Sequence, residues 1–244
     1  MTPETSETAL PPHGVLVVTG TGTNVGKTVV TAAVAALAHA RGAAVAVVKP
    51  AQTGVHPGPG SEVPDVETIQ RLAGVTDTHE LSRFPDPLSP EAAARVSGLP
   101  PLDLAGAAEY IAKLAGARDL VLVEGAGGLL VRYNAAGATL ADLAALCGAP
   151  VLLVTAAGLG TLNSTALTCE ALAARRLELA GVVIGSWPRE PGLAERQNHD
   201  DLQTLIGGPL AGALPEGSGA LPRAEFRAVA RAGLSPRLGG TRTG

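Results

Sequence analysis

Six apolar runs, all but the last containing β-branched residues, punctuate the chain, at residues 14–19, 44–49, 119–124, 151–155, 181–185 and 210–214. None of them alternates apolar with polar. That pattern predicts strands covered on both faces of a parallel sheet rather than half-exposed ones. Between the runs lie Ala- and Leu-rich stretches that predict helices over 27–41, 65–73, 102–115, 140–146, 162–177 and 193–206, with Gly42 and Gly148 where a helix C-terminal glycine belongs. The β-α-β rhythm runs from end to end, so the expected fold is one α/β domain, a doubly wound, mostly parallel sheet over residues 14–232. Residues 1–13 are polar and Pro-containing and are expected to form a disordered tail. A short helix is expected over 224–232, followed by a frayed basic tail over 233–244. Residues 55–64 and 83–101 are rich in Gly or Pro and read as loops of the length that often serves function.

Composition narrows the function classes. With 244 residues there is ample chain for one core, and a net charge of −4 with 16% charged residues leaves no basic stripe for nucleic acid. Aromatic residues make up 2% of the chain, so stacking platforms for single strands are absent too. Cys169 falls in a predicted helix and Cys147 just past the end of one, both far from any CxxC or Cys/His cluster, as small core hydrophobes of a reducing compartment would be. No run is long and apolar enough for a membrane helix, and the first residues lack a signal peptide's pattern; a cytoplasmic protein is expected.

The candidate chemistry sits at the strand ends. Gly20-Thr21-Gly22-Thr23-Asn24-Val25-Gly26-Lys27-Thr28 joins the first strand to the first helix. A glycine-rich turn there aims backbone N–H groups at one point, where the helix dipole favours an anion. Lys27 is placed for the β- and γ-phosphates of a nucleotide and the Thr28 hydroxyl for its Mg²⁺. Thr21 replaces the first glycine of the usual pattern, with Gly20 and Gly22 beside it. Lys49 closes the second strand, and Glu124 closes the third, ahead of Gly125-Ala126-Gly127-Gly128. In open parallel sheets ligands bind beyond those strand ends. Taken singly, Lys49 also fits a snorkelling surface cation and Glu124 an ordinary strand-end carboxylate. Beside a phosphate turn, a carboxylate suits Mg²⁺, and a fixed cation suits the charge that develops in phosphoryl transfer.

Four segments together resemble the dethiobiotin synthetases, which carry a P-loop-NTPase-like fold: the phosphate turn, Lys49-Pro50-Ala51-Gln52-Thr53-Gly54, Val123-Glu124-Gly125-Ala126-Gly127-Gly128, and Gly158-Leu159-Gly160-Thr161-Leu162-Asn163. The resemblance runs from about Val15 to Gly217. It implies an ATP-dependent ligase that converts 7,8-diaminononanoate and CO₂ to dethiobiotin through a carbamate and a carbamic–phosphoric anhydride. It also implies Lys27 and Lys49 as catalytic cations, and Thr28, Asp65 and Glu124 as Mg²⁺ ligands. Nucleotide contacts would come from Asn24, Val25, Gly26, Val29, Gly125, Ala126, Gly127, Gly185, Ser186, Pro215, Glu216 and Gly217. Thr53 would bind the diamine or carbamate. Thr161, Leu162 and Asn163 would reach the substrate carboxylate across a homodimer interface. Asp65 opens a helix, where the dipole favours an acid in any case. The five histidines lie away from these motifs. Gly185 stands where many relatives have an Asn that reads adenine, so a broader base preference is expected. Glu91 and Ser164 stand where relatives often have His. An amidotransferase-linked cobyrinate-type synthase would need a glutaminase domain for which the chain has no room. A partitioning or positioning ATPase would bring a further lysine at the start of the turn, where this chain has Thr19-Gly20-Thr21.

Overall fold

The computed structural model describes residues 14–243; the tail expected over residues 1–13 lies outside them. In chain order the strands are β1 (Gly14–Gly20), β2 (Val45–Lys49), β3 (Thr78–Glu80), β4 (Leu120–Gly128), β5 (Val151–Thr155), β6 (Leu179–Trp187) and β7 (Gly212–Pro215). They form one sheet in the order β3-β2-β4-β1-β5-β6-β7, and every pairing is parallel. The helices are α1 (Lys27–Ala40), α2 (Asp65–Ala73), α3 (Pro90–Ser97), α4 (Leu104–Ala115), α5 (Leu140–Cys147), α6 (Thr161–Ala174), α7 (Leu193–Ile206) and α8 (Arg223–Gly233). Strand order reverses on either side of β1, and the phosphate turn leaves β1 into α1 at that switch point.

Continuous burial of the central strands explains their unbroken apolar character. β2 and β5 are buried at every residue. One face packs under α1, α2 and α8 through residues such as Val30, Ile69 and Phe226, and the other under α3, α4 and α5 through Ala93, Ile111 and Leu143.

Three elements depart from the sequence reading. β3 is three half-buried residues, Thr-His-Glu, paired to β2, too short and polar to register as an apolar run. α3 lies inside the stretch expected to be irregular; Pro90 opens it at a first-turn position that tolerates proline, and the surrounding prolines masked it. The segment after Gly233, expected to fray, is pinned instead. Gly212 bridges Leu234, residues Pro236–Leu238 form a 3₁₀ turn, and the Thr241 and Arg242 amides donate to Arg231 and Leu234. The remaining shifts are at element ends: α4 starts at Leu104 because the Asp103 carboxylate caps the Ala105 amide, and α6 stops at Ala174, ahead of Arg176 in a left-handed conformation.

Candidate active site

The phosphate turn is shaped by two close approaches. A Cβ at Gly20 would lie 2.7 Å from a Val25 methyl and 2.9 Å from the Gly22 carbonyl. Gly26, the residue before α1, has φ +96°, and a Cβ there would meet the Gly185 carbonyl at 2.7 Å. Gly20 rather than residue 21 therefore takes the tight position. Thr21, whose φ is not positive, keeps a side chain, and its amide donates to the Val154 carbonyl at 2.9 Å. Lys27 folds back over the turn and donates to the Gly22 carbonyl at 2.8 Å. Burial lowers the Lys27 pKa first, and repulsion from Lys49 lowers it further.

Beneath the turn lies a buried charged cluster. Lys49 (3% exposed) ends β2, and Glu124 (0%) stands level with it on β4 but does not close that strand as expected, because β4 runs on through the glycines to Gly128. The Lys49 ammonium donates to Glu124 Oε1 at 2.9 Å and to the Gly125 carbonyl at 3.1 Å, and it also pairs with Asp65. Burial works against the Lys49 charge, but Glu124 and Asp65 outweigh it and raise the pKa above the ordinary lysine value. The Thr28 hydroxyl stands 2.9 Å from both Asp65 Oδ1 and Glu124 Oε1. A hydroxyl has one proton, so it satisfies only one carboxylate at a time. Glu124 Oε2 is buried without a hydrogen-bond partner. Among the described residues no group of three or more His, Cys, Asp or Glu could hold a metal by itself. Two carboxylates, a hydroxyl and an orphaned carboxylate oxygen do fit Mg²⁺, which binds few protein oxygens and keeps the rest for water and phosphate.

Burial would raise the Asp65 pKa, yet the Lys49 ammonium, with hydrogen bonds from Lys49 and Thr28, holds it below the ordinary value of 3.8. A carboxyl whose folded pKa is depressed adds stability above its unfolded pKa and loses it as pH falls through the folded one. Thermal melts taken downward from about pH 5 are therefore expected to show a loss that begins near 3.8 and is absent from Asp65→Asn. A variant that loses stability as steeply as the wild type would remove Asp65 from this role.

Asn24, Gly26, Lys27, Thr28, Val29, Lys49, Thr53, Asp65, Ala126 and Gly127 all line one cleft of about 660 Å³. Val25 packs into the core beside the turn. Gly185 does not line the cleft but supports the turn from below. Ser186, Glu216 and Gly217 are exposed on the β6–β7 flank, where the Glu216 amide donates to Trp187 at 2.7 Å and Pro215 accepts from the Ser218 hydroxyl at 2.5 Å. Thr161, Leu162 and Asn163 lie outside the cleft. The Thr161 hydroxyl is buried against Thr155 at 2.6 Å, Leu162 packs on the β5–β6 side and Asn163 is exposed. Glu91 pairs with Arg95 at 3.2 Å, and Ser164 donates back to Gly160 at 2.8 Å, so both side chains have local uses.

Sequence reasoning passed over two supports. Gln52 accepts from the Asp65 amide at 3.0 Å and donates to the Thr53 carbonyl at 3.1 Å, tying both residues to β2. Its place inside the Lys49–Gly54 motif was the available signal. Tyr133, fully buried, accepts from the Ala126 amide at 2.9 Å and fixes the glycine-rich end of β4 after Glu124. Nothing in its local sequence marks it.

A seven-stranded parallel sheet with this turn at its switch point defines a P-loop nucleotide-binding protein, and a family model for an AAA domain matches residues 14–220. The chain also belongs to the ATP-dependent dethiobiotin synthetase family. It is 67% identical to the ATP-dependent dethiobiotin synthetase of Frankia casuarinae over 226 residues, covering 93% of this chain and 94% of that one. It is 59% identical to that of Streptomyces avermitilis over 227 residues, covering 93% and 94%. Among solved structures, the septum site-determining protein MinD of Pyrococcus horikoshii, complexed with Mg-ADP, superposes with a TM-score of 0.59 at 17% identity, covering 93% of this chain and 94% of that one. A ParA family ATPase of Chlorobium tepidum gives 0.54 at 13% identity, covering 93% and 95%. At such identities the likeness is one of fold alone.

Proposed function

We propose that this chain closes the ureido ring of dethiobiotin from 7,8-diaminononanoate, CO₂ and ATP, a step of biotin biosynthesis. One amine of the vicinal diamine takes up CO₂ as a carbamate, and a carbamate oxygen attacks the γ-phosphorus, expelling ADP. The second amine then attacks the carbamoyl carbon of the resulting anhydride, and the C–O bond breaks to release phosphate. No protein nucleophile is required, because substrate and nucleotide supply both reacting groups; the protein positions them and stabilises charge.

The observation that carries this reading is the buried Lys49 ammonium, held between Glu124 and Asp65 in the same cleft as the Lys27 turn. A fixed cation there suits both the carbamate oxygens and the transferring phosphoryl. Lys27 and the amides of the turn hold the phosphates, and Thr53, tied down by Gln52, is placed to hydrogen-bond the diamine or carbamate. Thr28, Asp65 and Glu124 would hold Mg²⁺, which supplies neutralisation of charge on the β- and γ-phosphate oxygens. With no side chain at the buried Gly185 to read adenine, the base would meet the exposed Ser186 and the Pro215–Gly217 segment, which supports acceptance of bases other than adenine. A homodimer completes the substrate site, with Gly160, Thr161, Leu162 and Asn163 of one subunit facing the substrate carboxylate of the other. The 89% exposed Leu159 and 57% exposed Leu167, flanking Asn163, support a covered surface there. No described helix is long and apolar enough to cross a membrane, and the two half-buried free cysteines suit a cytoplasmic location.

Phosphate release from ATP is expected to require diamine and bicarbonate together, falling to background when either is omitted. Substantial hydrolysis without diamine would favour a nucleotide-switched assembly ATPase instead.

A further inference from the structure

A second cavity lies on the far flank of the sheet, away from the phosphate turn. β7 is the last strand, and beyond the Gly212–Leu234 bridge a groove of about 580 Å³ opens between α7 and α8. That volume is in the range of small-molecule sites, roughly 300–1,000 Å³. Its apolar lining is Ala213 and the half-buried Val229 and Trp187 indole below, with the exposed Pro215 and Ala232 at its edge. Pro215 alone is shared with the residues assigned to nucleotide.

The rim carries charge of one dominant sign. Arg196 and Arg242 both line it, and among the described residues neither is in an ion pair. Arg196 spends one N–H on the Pro191 carbonyl. Arg242 donates to His199 Nε2 at 2.9 Å, and because a guanidinium can only donate, that nitrogen must accept. The other ring nitrogen, Nδ1, faces the Asp200 carboxylate at 3.1 Å and the Gln203 amide nitrogen at 3.4 Å. The imidazole faces the one acidic group of the rim and stands edge-on to Trp187 with ring centroids 5.6 Å apart. Arg242 is consequently braced beside the apolar floor with its charge unmatched.

We propose that this groove is a binding site for a small amphipathic carboxylate, distinct from the nucleotide site, with the apolar body on Trp187 and Ala213 and the carboxylate bridging Arg242 and Arg196. Planar guanidinium groups match a carboxylate in two-point geometry, and the apolar floor excludes water from the pair.

Trp187 is the chain's only tryptophan, so its fluorescence reports on the groove directly. Octanoate is the probe, with octylamine and inorganic phosphate as controls. Octanoate is expected to give a saturable change with a Kd of about 0.1–1 mM, a range ordinary for so small a ligand. The controls are expected to give none. The double variant Arg196→Gln/Arg242→Gln should bind about tenfold more weakly or worse. Ala232→Leu, at an exposed position that tolerates the larger side chain, should narrow the groove and remove the signal. Saturating ATP should leave octanoate binding in place. The proposal is overturned if octanoate gives no saturable change, if octylamine or phosphate reproduces it, if either variant keeps full affinity, or if ATP displaces the probe.

Discussion

Lys49→Ala is expected to lower kcat by about 10³-fold or more, while ATP affinity changes by less than about tenfold. The asymmetry follows from placement. In the proposed function the turn amides and Lys27 hold the ATP phosphates, and they do not depend on Lys49 for position, since Lys27 rests on the Gly22 carbonyl. Lys49 is instead proposed to serve the group that changes charge during the reaction. A cost in stability comes with the loss, because Glu124 and Asp65 would face each other without their shared cation. Removing one partner of a buried ion pair costs about 3–5 kcal/mol, so the variant's unliganded form should melt well below the wild type. Turnover measured with saturating diamine and bicarbonate, alongside calorimetric titration of ATP, separates the two effects. A variant that keeps more than about a tenth of wild-type kcat would show that Lys49 is a structural cation only.

The second large effect is expected at Gly185. Many relatives carry Asn there, and the simple expectation is that Gly185→Asn would restore adenine selectivity. The structure argues otherwise. A Cβ at 185 would stand 2.0 Å from the Val25 carbonyl oxygen and 2.7 Å from a Val154 methyl. The first of these is backbone of the phosphate turn itself, which cannot swing aside as a flexible side chain can. Overpacking of this kind costs about 1–3 kcal/mol or more, and here the relief must come from moving the turn. Gly185→Asn is therefore expected to lower the melting temperature and to weaken all four common triphosphates together, without selecting ATP. Competition among the four triphosphates, with melts of the same protein, provides the check. An unchanged melt with a new preference for ATP would mean that the turn has room the distances deny.

Much of this architecture was legible because parallel strands buried on both faces leave a strong imprint. β2 and β5 appear as unbroken apolar runs because helices cover them on either side. The charged cluster was legible for a related reason: the phosphate turn leaves the end of β1 and Lys49 ends β2, while Glu124, expected at a strand end, stands level with Lys49 partway along β4. What escaped notice is stabilised by neighbours rather than by local pattern. β3 exists through its ladder with β2 and not through the hydrophobicity of Thr78–Glu80. The C-terminal residues are held by amides reaching back to Arg231 and Leu234, contacts that no composition encodes. Tyr133 reaches the site across seven residues of chain to meet the Ala126 amide. The role of Gly185 needed coordinates too, since a missing side chain says nothing in sequence about which backbone it lets approach.

The proposed reaction turns on the fate of one oxygen atom. If a carbamate oxygen attacks the γ-phosphorus and the C–O bond breaks on ring closure, that oxygen leaves with phosphate. Turnover with ¹⁸O-labelled bicarbonate, stopped before the label exchanges with water, is expected to yield inorganic phosphate carrying one labelled oxygen for each dethiobiotin formed. Phosphate that takes its new oxygen from solvent water would mean that ATP is merely hydrolysed in this cleft and that no carbamate is activated there.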